Sequence, residues 1–295
     1  MQNFIRTKII RNGDISSPTI LVDPNLPNIL AEQGELCVRL AHNKEDLKAV
    51  QALRYSIFYK TLGAHPKLSQ RLTRLDRDHY DDICEHLLLT TRAVVQGAPK
   101  KTQLANGETV VGCYRLLRRG IAEQSSGFYS ANEFDLAPFL SGIGRGLNIL
   151  ELGRSCVAPA YRSGNGISLM WRGLGVLIKT YEVDAMIGCA SFAGTNLEIL
   201  AQPLSYLHHF HSAEGMWRVR AHQERYIDMN IQALDEINPK AALRALPPVL
   251  RGYLRSGALI GDGAVIDHQF NTTDVFVLMP LSQLSERYRE RYVAE

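Results

Sequence analysis

The order of apolar and polar positions is most informative between residues 147 and 181. Leu147 to Val157 is an apolar run of strand length, interrupted by two charged residues. From Ile167 onward the apolar residues recur every three or four positions, which predicts a helix with one buried face. The turn between them, Pro159 to Gly166, carries two glycines. A glycine-bearing turn from a strand into a helix can present backbone N–H groups to an anion or a carbonyl oxygen.

Patterns of period two and period 3.6 predict further elements on both sides of this segment. The predicted helices span 44–62 and 194–212, and a closing helix follows residue 284. The predicted strands span 35–41, 86–91, 109–118, 185–191, 217–221 and 274–281. Strand 185–191 should lie parallel to strand 147–157, because the helix between them forms a right-handed crossover. The predicted fold class is therefore α/β, as a mixed sheet with helices on both faces and one splayed parallel strand pair.

Domain organisation follows from the same patterns. Residues 1–34 hold three prolines and little periodicity, which predicts a poorly packed N-terminal arm. Residues 35–295 contain no internal repeat and are expected to form a single domain. Within them, 64–82 is polar and dense in charge. This segment is either a solvated loop or a long ordered loop with a function, and the pattern leaves both open.

Composition mainly excludes classes of protein. The formal net charge is +3, so no basic tail indicates a nucleic-acid partner, although an acidic protein or an anionic bilayer is compatible. The five cysteines contain no C-x-x-C pair and lie mostly in apolar runs, which indicates reduced thiols and a cytoplasmic location. The N-terminus does not resemble a signal peptide. No run of about 18 apolar residues occurs, so membrane contact would be peripheral.

Several common catalytic motifs are absent. The sequence has no G-x-S-x-G, no G-x-x-x-x-G-K-[ST] and no H-E-x-x-H. His208, His209 and His211 are the residues nearest to a metal motif. Adjacent helical side chains diverge by about 100°, so these histidines do not converge on one ion and no metal is expected.

The best candidates for chemistry are Glu151 and Arg154, a carboxylate and a guanidinium inside an apolar strand. Such charges are costly to bury unless they are paired or used, so a structural salt bridge is the alternative to a catalytic role. Gly153 between them would permit a bulge that frees backbone donors. Arg162, Gly164 and Gly166 then follow at the predicted helix start.

This strand, turn and helix resemble the donor site of the GNAT acyltransferase superfamily. The resemblance implies a mixed, mostly antiparallel sheet, and a pantetheine thioester bound between two splayed strands. The donor-binding positions would be Val157, Arg162, Gly164 and Gly166. The turn reads R-x-G-x-G rather than the usual R-x-x-G-x-G/A, which cradles a pyrophosphate. A carrier-protein donor has a single phosphate, so the departure favours that donor over acetyl-CoA.

A closer resemblance covers about residues 35–290. The residue types and order of one set match the motif residues of acyl-homoserine lactone synthases: Arg54, Phe58, Asp78, Asp81, Arg115, Phe134, Glu151 and Arg154. Other stretches, including Glu-Leu-Gly-Arg-Ser-Cys-Val and Gly-Cys-Ala-Ser-Phe, resemble the bacterial ornithine N-α-acyltransferases that begin ornithine-lipid synthesis. That resemblance implies transfer of a 3-hydroxyacyl group from acyl carrier protein to the α-amine of L-ornithine. No tightly bound cofactor is implied.

The resemblance also suggests roles. Glu151 would remove a proton from the amine, with Arg154 beside it and backbone N–H groups near Gly153 polarising the thioester carbonyl. Asp78 and Asp81 would either hold the δ-ammonium of ornithine or bridge Arg54 and Arg115. Phe58 and Phe134 belong to the substrate-binding set.

The remaining expectations concern the donor and its surroundings. An apolar cleft lined by Phe134, Phe139, Trp171 and Phe192 would take the acyl chain. The carrier protein is acidic, so we expect a basic dock, for which the candidates are Arg162, Arg172 and Lys179, with Arg118 and Arg119 second. Arg251, Tyr253 and Arg255 are candidates for contact with the inner membrane leaflet.

Three other functions stay open at this point. In the first alternative, the acceptor is a different amino acid such as glycine. In the second, the product is an acyl-homoserine lactone. From another class, the chain is a non-catalytic binder of acyl carrier protein or lipid. Charged residues within apolar strands favour an enzyme.

Overall fold

One mixed sheet organises the chain. The structure is a computed structural model that describes residues 26–162, 165–284, 286, 288 and 290. In these residues ten strands follow the order β1-β2-β3-β4-β6-β7-β10-β9-β8-β5. The strands are β1 Ala31–Gln33, β2 Leu36–Leu40, β3 Glu85–Thr91, β4 Thr109–Arg118, β5 Phe134–Asp135, β6 Ile149–Val157, β7 Ala185–Ala193, β8 Arg220–Ala221, β9 Leu259–Asp267 and β10 Thr272–Pro280.

Helices cover both faces of the sheet. They are α1 Lys44–Tyr55, α2 Leu68–Thr73, α3 Arg119–Glu123, α4 Ala137–Ser141, α5 Asn165–Thr180, α6 Leu197–His211, α7 Pro239–Ala245 and α8 Pro248–Arg255. Helix α5 packs across β1, β2 and β3, and its apolar stripe joins the largest core. Helix α1 lies on the opposite face, where Val50 and Leu53 pack against Leu88 and Val110. The predicted α/β class with a mixed, mostly antiparallel sheet is confirmed.

Helix α1 begins and ends for local reasons. The Asn43 side chain caps it by accepting from the Asp46 N–H at 2.9 Å. After Tyr55 the predicted helix continues as a π-helical turn, Ser56–Thr61. Such turns shift the side chains that follow them and are frequent at functional sites. Here the turn carries Phe58 and Tyr59, which both pack near Phe270.

Strands β6 and β7 are parallel, as predicted, and they part after three residue pairs. The last pair is Glu151 with Ile187. Strand β6 also bulges against β4, because the register shifts between Cys113/Cys156 and Arg115/Gly153. The bulge places Arg154 in the left-handed region with φ of 48°. The predicted splay near Gly153 is therefore present, and Arg154 rather than Gly153 takes the unusual backbone conformation.

Several predicted boundaries are corrected. The sheet starts before residue 35: Leu30 and Ala31 are buried and β1 pairs with β2, so this part of the predicted N-terminal arm is packed. Residues 1–25 lie outside the described part of the chain, as does most of the predicted closing helix. Segment 64–82 holds α2 and a 3₁₀ turn at His79–Asp82. The predicted strand 217–221 is reduced to β8.

Strand β9 was not predicted, because Gly257, Gly261 and Gly263 make the segment look like turns. A Cβ at Gly261 would meet Val219 O at 2.7 Å and Phe276 Cβ at 2.9 Å. The glycine thus allows a close approach of neighbouring strands. Within the described residues, no helix combines the length and the apolar character needed to cross a bilayer.

Gly188 marks the point where β6 and β7 separate, and it offers a test. A Cβ there would collide with the backbone oxygen of Leu152. We expect Gly188→Ala to lower the free energy of unfolding by about 1–3 kcal/mol, because the strands must move apart. The control is Gly252→Ala in α8, where a Cβ meets no described atom within 4 Å and should be neutral or stabilising. Urea titrations of both variants measure the difference, and equal stability would contradict the close packing.

Candidate active site

Glu151 lies at the parting of β6 and β7, and a loop from another part of the chain holds its carboxylate. Tyr129 N–H donates to Oε2 at 2.7 Å, and the N–H and hydroxyl of Ser130 donate to Oε1 at 2.7 and 2.6 Å. The side chain is buried. Burial raises the pKa of Glu151, while the hydrogen bonds from Ser130 and Tyr129 act against that rise. The result is an oriented carboxylate whose proton affinity is increased, which suits a general base.

Arg154 lies beside it at the bulge. Its guanidinium stacks on the rings of Tyr129 and Phe270, with its carbon 4.8 and 4.6 Å from the two centroids. Beyond Glu151 the described register of β6 with β7 stops, so the β7-facing edge of β6 has no partner strand. Backbone donors on this edge are available to a carbonyl oxygen in the wedge between the strands.

Three arginines, one of which is Arg154, and three aspartates form a largely buried network beside Glu151. Arg54 Nη2 lies 2.7 Å from Asp81 Oδ2, and Arg115 Nη1 lies 3.1 Å from Asp81 Oδ1. The other pairs are Arg54–Asp76 at 2.9 Å, Arg115–Asp78 at 2.6 Å, Arg154–Asp78 at 3.2 Å and Arg154–Asp76 at 3.4 Å. The network ties α1 and the loop before β3 to β4 and β6.

Charge is balanced within this network. Burial alone would raise the pKa of Asp81, but the guanidiniums of Arg54 and Arg115 outweigh it and hold that pKa well below the usual range. Arg115 and Arg154 lower the pKa of Asp78 in the same way. Both aspartates are thus ionised and already paired. Of the two predicted roles, these contacts correspond to bridging: Asp81 bridges Arg54 and Arg115, whereas Asp78 bridges Arg115 and Arg154.

A second acidic group lies on the same face of the sheet. Carboxylate oxygens of Glu133, Asp267 and Asp274 lie within 4.8 Å of one another. Burial, and then the charge of Asp274, raise the pKa of Glu133 to about 7. Burial raises the pKa of Asp274 to about 6. This acidic cluster was missed in the sequence, because its members come from a loop, from the unpredicted β9 and from β10.

An apolar cleft opens between β6 and β7 on the α5 side of the sheet. Its walls include Leu152, Trp171, Met186, Gly188, Tyr253 and Met279. The Trp171 and Tyr253 rings lie 5.8 Å apart, edge to face. Trp171 is the one of the four predicted wall residues that lines this cleft. Tyr253 lies against the cleft rather than at an outer surface. The prediction that Tyr253 contacts the membrane is therefore wrong.

Three of the four predicted aromatic wall residues belong to hydrophobic cores instead. Phe134 and Phe139 are fully buried, and the Phe134 ring packs 5.5 Å from that of Phe276. Phe192 is also buried in the main core. None of the three is among the residues that line the apolar cleft. Phe58 is half-buried and meets Phe270 edge to face at 5.7 Å, close to Arg154.

The described donor residues of the prediction lie at the end of β6, where Val157 is the last residue, and at the start of α5. Arg162 is exposed, and its Nε donates to Val157 O at 2.8 Å, so it fastens the turn to the end of β6. Gly166 is required for packing, because a Cβ would meet Tyr161 O at 2.7 Å. Gly164 lies outside the described residues.

The candidate docking residues differ in their contacts. Arg172 and Lys179 are exposed on α5. Arg118 instead lies over the Tyr181 ring and 3.5 Å from Glu85, and Arg119 pairs with Glu123 at 2.6 Å. The polar face of α5 is therefore the more accessible basic surface of the two.

The histidines of α6 make contacts other than a shared site. His209 Nε2 lies 3.2 Å from Gln232 O, and His211 Nε2 lies 3.4 Å from the Tyr206 hydroxyl. The rings of His208 and His209 are nearly perpendicular, at 86°.

The sheet, with two parallel strands that part beside a buried carboxylate, defines the class of protein as a GNAT-like acyltransferase. A family model described as "Acetyltransferase (GNAT) domain" matches residues 53–172. Among solved structures, FeeM, an N-acyl amino acid synthase from uncultured soil microbes, is similar at 9% identity and a TM-score of 0.46, over 88% of this chain and 96% of that one.

Sequence relatives identify the family within this class. The L-ornithine N(alpha)-acyltransferase of Brucella abortus (strain 2308) is 43% identical over 267 residues, which are 90% of this chain and 92% of the relative. The protein of the same name from Agrobacterium fabrum (strain C58 / ATCC 33970) is 38% identical over 292 residues, 97% of each chain. The chain belongs to the L-ornithine N(alpha)-acyltransferase family.

The acidic cluster predicts a pH dependence of stability. Glu133 and Asp274 ionise at higher pH in the folded chain than in the unfolded one, where their pKa values are about 4. The folded state therefore holds more protons between about pH 4 and 7, and its stability falls as pH rises through that window. Glu133→Gln should remove part of this fall, on the order of 1–3 kcal/mol between pH 5 and 7.5.

The measurement is the free energy of unfolding by urea across this pH range. Glu123→Gln is the matched control, because Glu123 is an exposed carboxylate on α3 that pairs with Arg119. Its curve should run parallel to that of the unmodified chain. A Glu133→Gln curve with the same slope would show that Glu133 titrates normally.

Proposed function

We propose that this chain transfers a 3-hydroxyacyl group from the thioester of acyl carrier protein to the α-amine of L-ornithine. The observation that carries the proposal is the place of Glu151, a buried and oriented carboxylate where β6 and β7 part. The choice of L-ornithine as the acceptor is based on the names of the relatives. The reaction needs no cofactor beyond the phosphopantetheine that the donor itself brings.

The chemistry requires an unprotonated amine. The α-amine has a pKa near 8 and is mostly protonated at neutral pH, so a proton must leave before attack. Glu151 accepts that proton directly or through a water. That first proton passes on to solvent. The amine nitrogen then attacks the thioester carbon and the C–N bond forms. The attacking nitrogen gives its second proton to Glu151, the C–S bond breaks, and Glu151 passes this proton to the departing thiolate. General-base assistance of this kind contributes about 10²–10⁴-fold.

The two parted strands divide the remaining tasks. Backbone N–H groups on the unpaired edge of β6 stabilise the oxyanion that develops on the thioester carbonyl. The acyl chain lies in the apolar cleft, against Trp171 and Met186. The pantetheine arm follows the wedge past Val157 towards Arg162 at the start of α5. Arg115 or Arg154 binds the α-carboxylate of the acceptor in addition to its aspartate partners.

The partner on the donor side is acyl carrier protein, which docks on the basic face of α5. Arg162, Arg172 and Lys179 form this surface, and all three are exposed. Both substrates are cytoplasmic, and the amphiphilic product leaves to the inner leaflet. In this proposal Arg251 and Arg255 contact that leaflet, because Tyr253 lies against the apolar cleft.

A direct assay tests the proposal. The purified chain is incubated with 3-hydroxyacyl carrier protein and a panel of acceptors: L-ornithine, glycine and S-adenosylmethionine. Mass spectrometry detects the amide, and a thiol reagent measures the released carrier thiol. We expect the monoacylated ornithine amide together with an equal amount of thiol. Binding of the carrier protein without thiol release would contradict catalysis.

Glu151→Gln should lower kcat by about 10²–10⁴-fold, because the amide is not a base. The amide nitrogen would also face the donating N–H of Tyr129 or Ser130, so a folding control is required. Glu151→Asp supplies it: it keeps the base and the acceptor atoms but shortens the reach, and should retain part of the activity. Near-normal turnover by a folded Glu151→Gln variant would remove Glu151 from the mechanism.

The docking surface predicts an effect confined to the carrier-protein donor. Arg172→Glu should raise the KM for acyl carrier protein about 10-fold at low salt, and the effect should shrink as salt screens the charge. Turnover with a short acyl-pantetheine thioester should be unchanged. The control is Lys240→Glu on α7, a helix that packs against α6. An unchanged KM in Arg172→Glu would place the dock elsewhere.

A further inference from the structure

The acidic cluster of Glu133, Asp267 and Asp274 is built from three separate elements. Glu133 follows the 3₁₀ turn Tyr129–Asn132, Asp267 ends β9, and Asp274 lies in β10. Their carboxylate oxygens converge within 4.8 Å. The side chain of Asp267 is oriented by the N–H groups of Gln269 and Phe270, which donate to it at 2.7 and 2.9 Å. The turn that carries these donors also places the Phe270 ring under Arg154.

Two oxygens of the cluster point to a missing partner. Glu133 Oε2 and Asp274 Oδ1 are buried and have no hydrogen-bond partner among the described residues. The hydroxyl groups of Ser191 and Thr272 lie close enough to Asp274 to act against the rise of its pKa, but neither carries a charge that would balance the carboxylate. Glu133 and Asp274 are only 5% and 7% exposed. Unsatisfied carboxylate oxygens at such depth are costly, so a ligand that donates hydrogen bonds would stabilise them.

The charge around the cluster is also unbalanced. Within the described part of the chain its one ion pair joins Glu133 to Arg225, at 3.3 Å. The network of Arg54, Arg115 and Arg154 with its three aspartates, in contrast, contains as many positive as negative groups. Apart from Glu151, which neutral donors hold, the surplus of negative charge on this face therefore lies at the acidic cluster, and a cation is the complementary ligand.

The cluster lies within reach of Glu151. Ser130 Oγ donates to Glu151 at 2.6 Å, and the Cys189 thiol lies 3.5 Å from Ser130 Oγ. The same thiol lies close enough to Glu133 to act against the rise of its pKa. Two small side chains thus separate the carboxylates of Glu151 and Glu133. Extended ornithine places its two nitrogens ~6 Å apart, and a hydrogen bond of about 3 Å at each end bridges carboxylates up to about 12 Å apart.

We propose that Glu133, Asp267 and Asp274 bind the side-chain ammonium of the basic amino-acid acceptor while Glu151 faces its α-amine. An alkylammonium has three N–H donors, which matches three converging carboxylates. This proposal rests on the proposed function and adds the determinant of acceptor specificity. It also explains why Asp78 and Asp81 are not needed for the ammonium, since arginines already pair with them.

The test compares L-ornithine with L-norvaline, which is ornithine without the δ-amine. The wild-type chain should acylate ornithine with a kcat/KM at least about 10²–10³-fold above that for norvaline, because norvaline leaves the buried carboxylates unpaired. Asp274→Asn should lower kcat/KM for ornithine about 10–100-fold and leave that for norvaline within about threefold. Glu133→Gln should likewise lower the ratio of kcat/KM for ornithine to kcat/KM for norvaline. It replaces Asp274→Asn as the test variant if Asp274→Asn does not fold.

Asp262→Asn is the matched control. It removes a carboxylate from β9 that pairs with Arg218 at 2.6 Å outside the cluster, and the substrate ratio should not change. Equal loss with both amines in Asp274→Asn and Glu133→Gln would reduce the cluster to a structural role and overturn the proposal. Equal use of norvaline and ornithine by the wild-type chain would overturn it too, while N-acylation itself would stand.

A binding measurement separates this proposal from the proposed function. If neither amine is acylated, the proposed function fails, and calorimetry on the free enzyme then decides the cluster independently. Binding of ornithine but not norvaline, lost in Asp274→Asn, supports an ammonium site. Equal binding of both amines, or no binding, overturns it. Tight binding of Mg²⁺ or Ca²⁺ that depends on Asp274 and excludes ornithine would identify a metal site instead, and also overturn it.

Discussion

The rest of the site depends on one buried arrangement of charge, in which Arg54, Arg115 and Arg154 share three aspartates. Arg54 is wholly enclosed, so removing any of its partners would leave an uncompensated charge. Breaking such a pair costs about 3–5 kcal/mol, although an intact buried pair adds little net stability. The value of the network is therefore geometric. It holds α1, the loop before β3, and strands β4 and β6 in one relative position, and Arg154 is the member that reaches the bulge.

That fixed position lets two neighbouring strands separate without loss of the fold. Past Glu151, β6 remains paired with β4 and β7 with β10, so each strand keeps one partner. The backbone groups left open by the parting face the wedge instead of another strand. Glu151 stands at its apex, held by Tyr129 and Ser130 from a loop more than twenty residues earlier in the chain. The Glu151 carboxylate is thus positioned by strand β6 and by the 3₁₀ turn Tyr129–Asn132, which supplies both of its backbone donors.

Polarity is divided between the two faces of the sheet. The balanced network and the acidic cluster lie on the Glu151 side, and the apolar cleft with Trp171 and Tyr253 lies towards α5 and α8. A molecule with a charged head and a hydrocarbon tail fits this division. In the proposed reaction the charged acceptor meets the ionised groups, which disfavour a wrong acceptor because it leaves charge unpaired, and the acyl tail of the donor is removed from water. The proposal puts the thioester carbon between the two, where the strands part.

Local pattern alone determined most of the fold that positions the site. Strand 109–118, the parallel relation of β6 and β7, and the splay near Gly153 all followed from periodicity, glycine placement and crossover handedness, because these are properties of short segments. The resemblance to known families brought Arg54, Asp78, Asp81, Arg115, Glu151 and Arg154 together, and of these only the pair in β6 stood out by its own chemistry. Only the tertiary structure decided what depends on distant partners: that Tyr129 and Ser130 hold Glu151, that Phe134 is core, and that Glu133 meets Asp267 and Asp274. Strand β9 could not be predicted for the same reason. Its glycine at position 261 allows neighbouring strands to approach closely, and that contact depends on residues far away in the sequence.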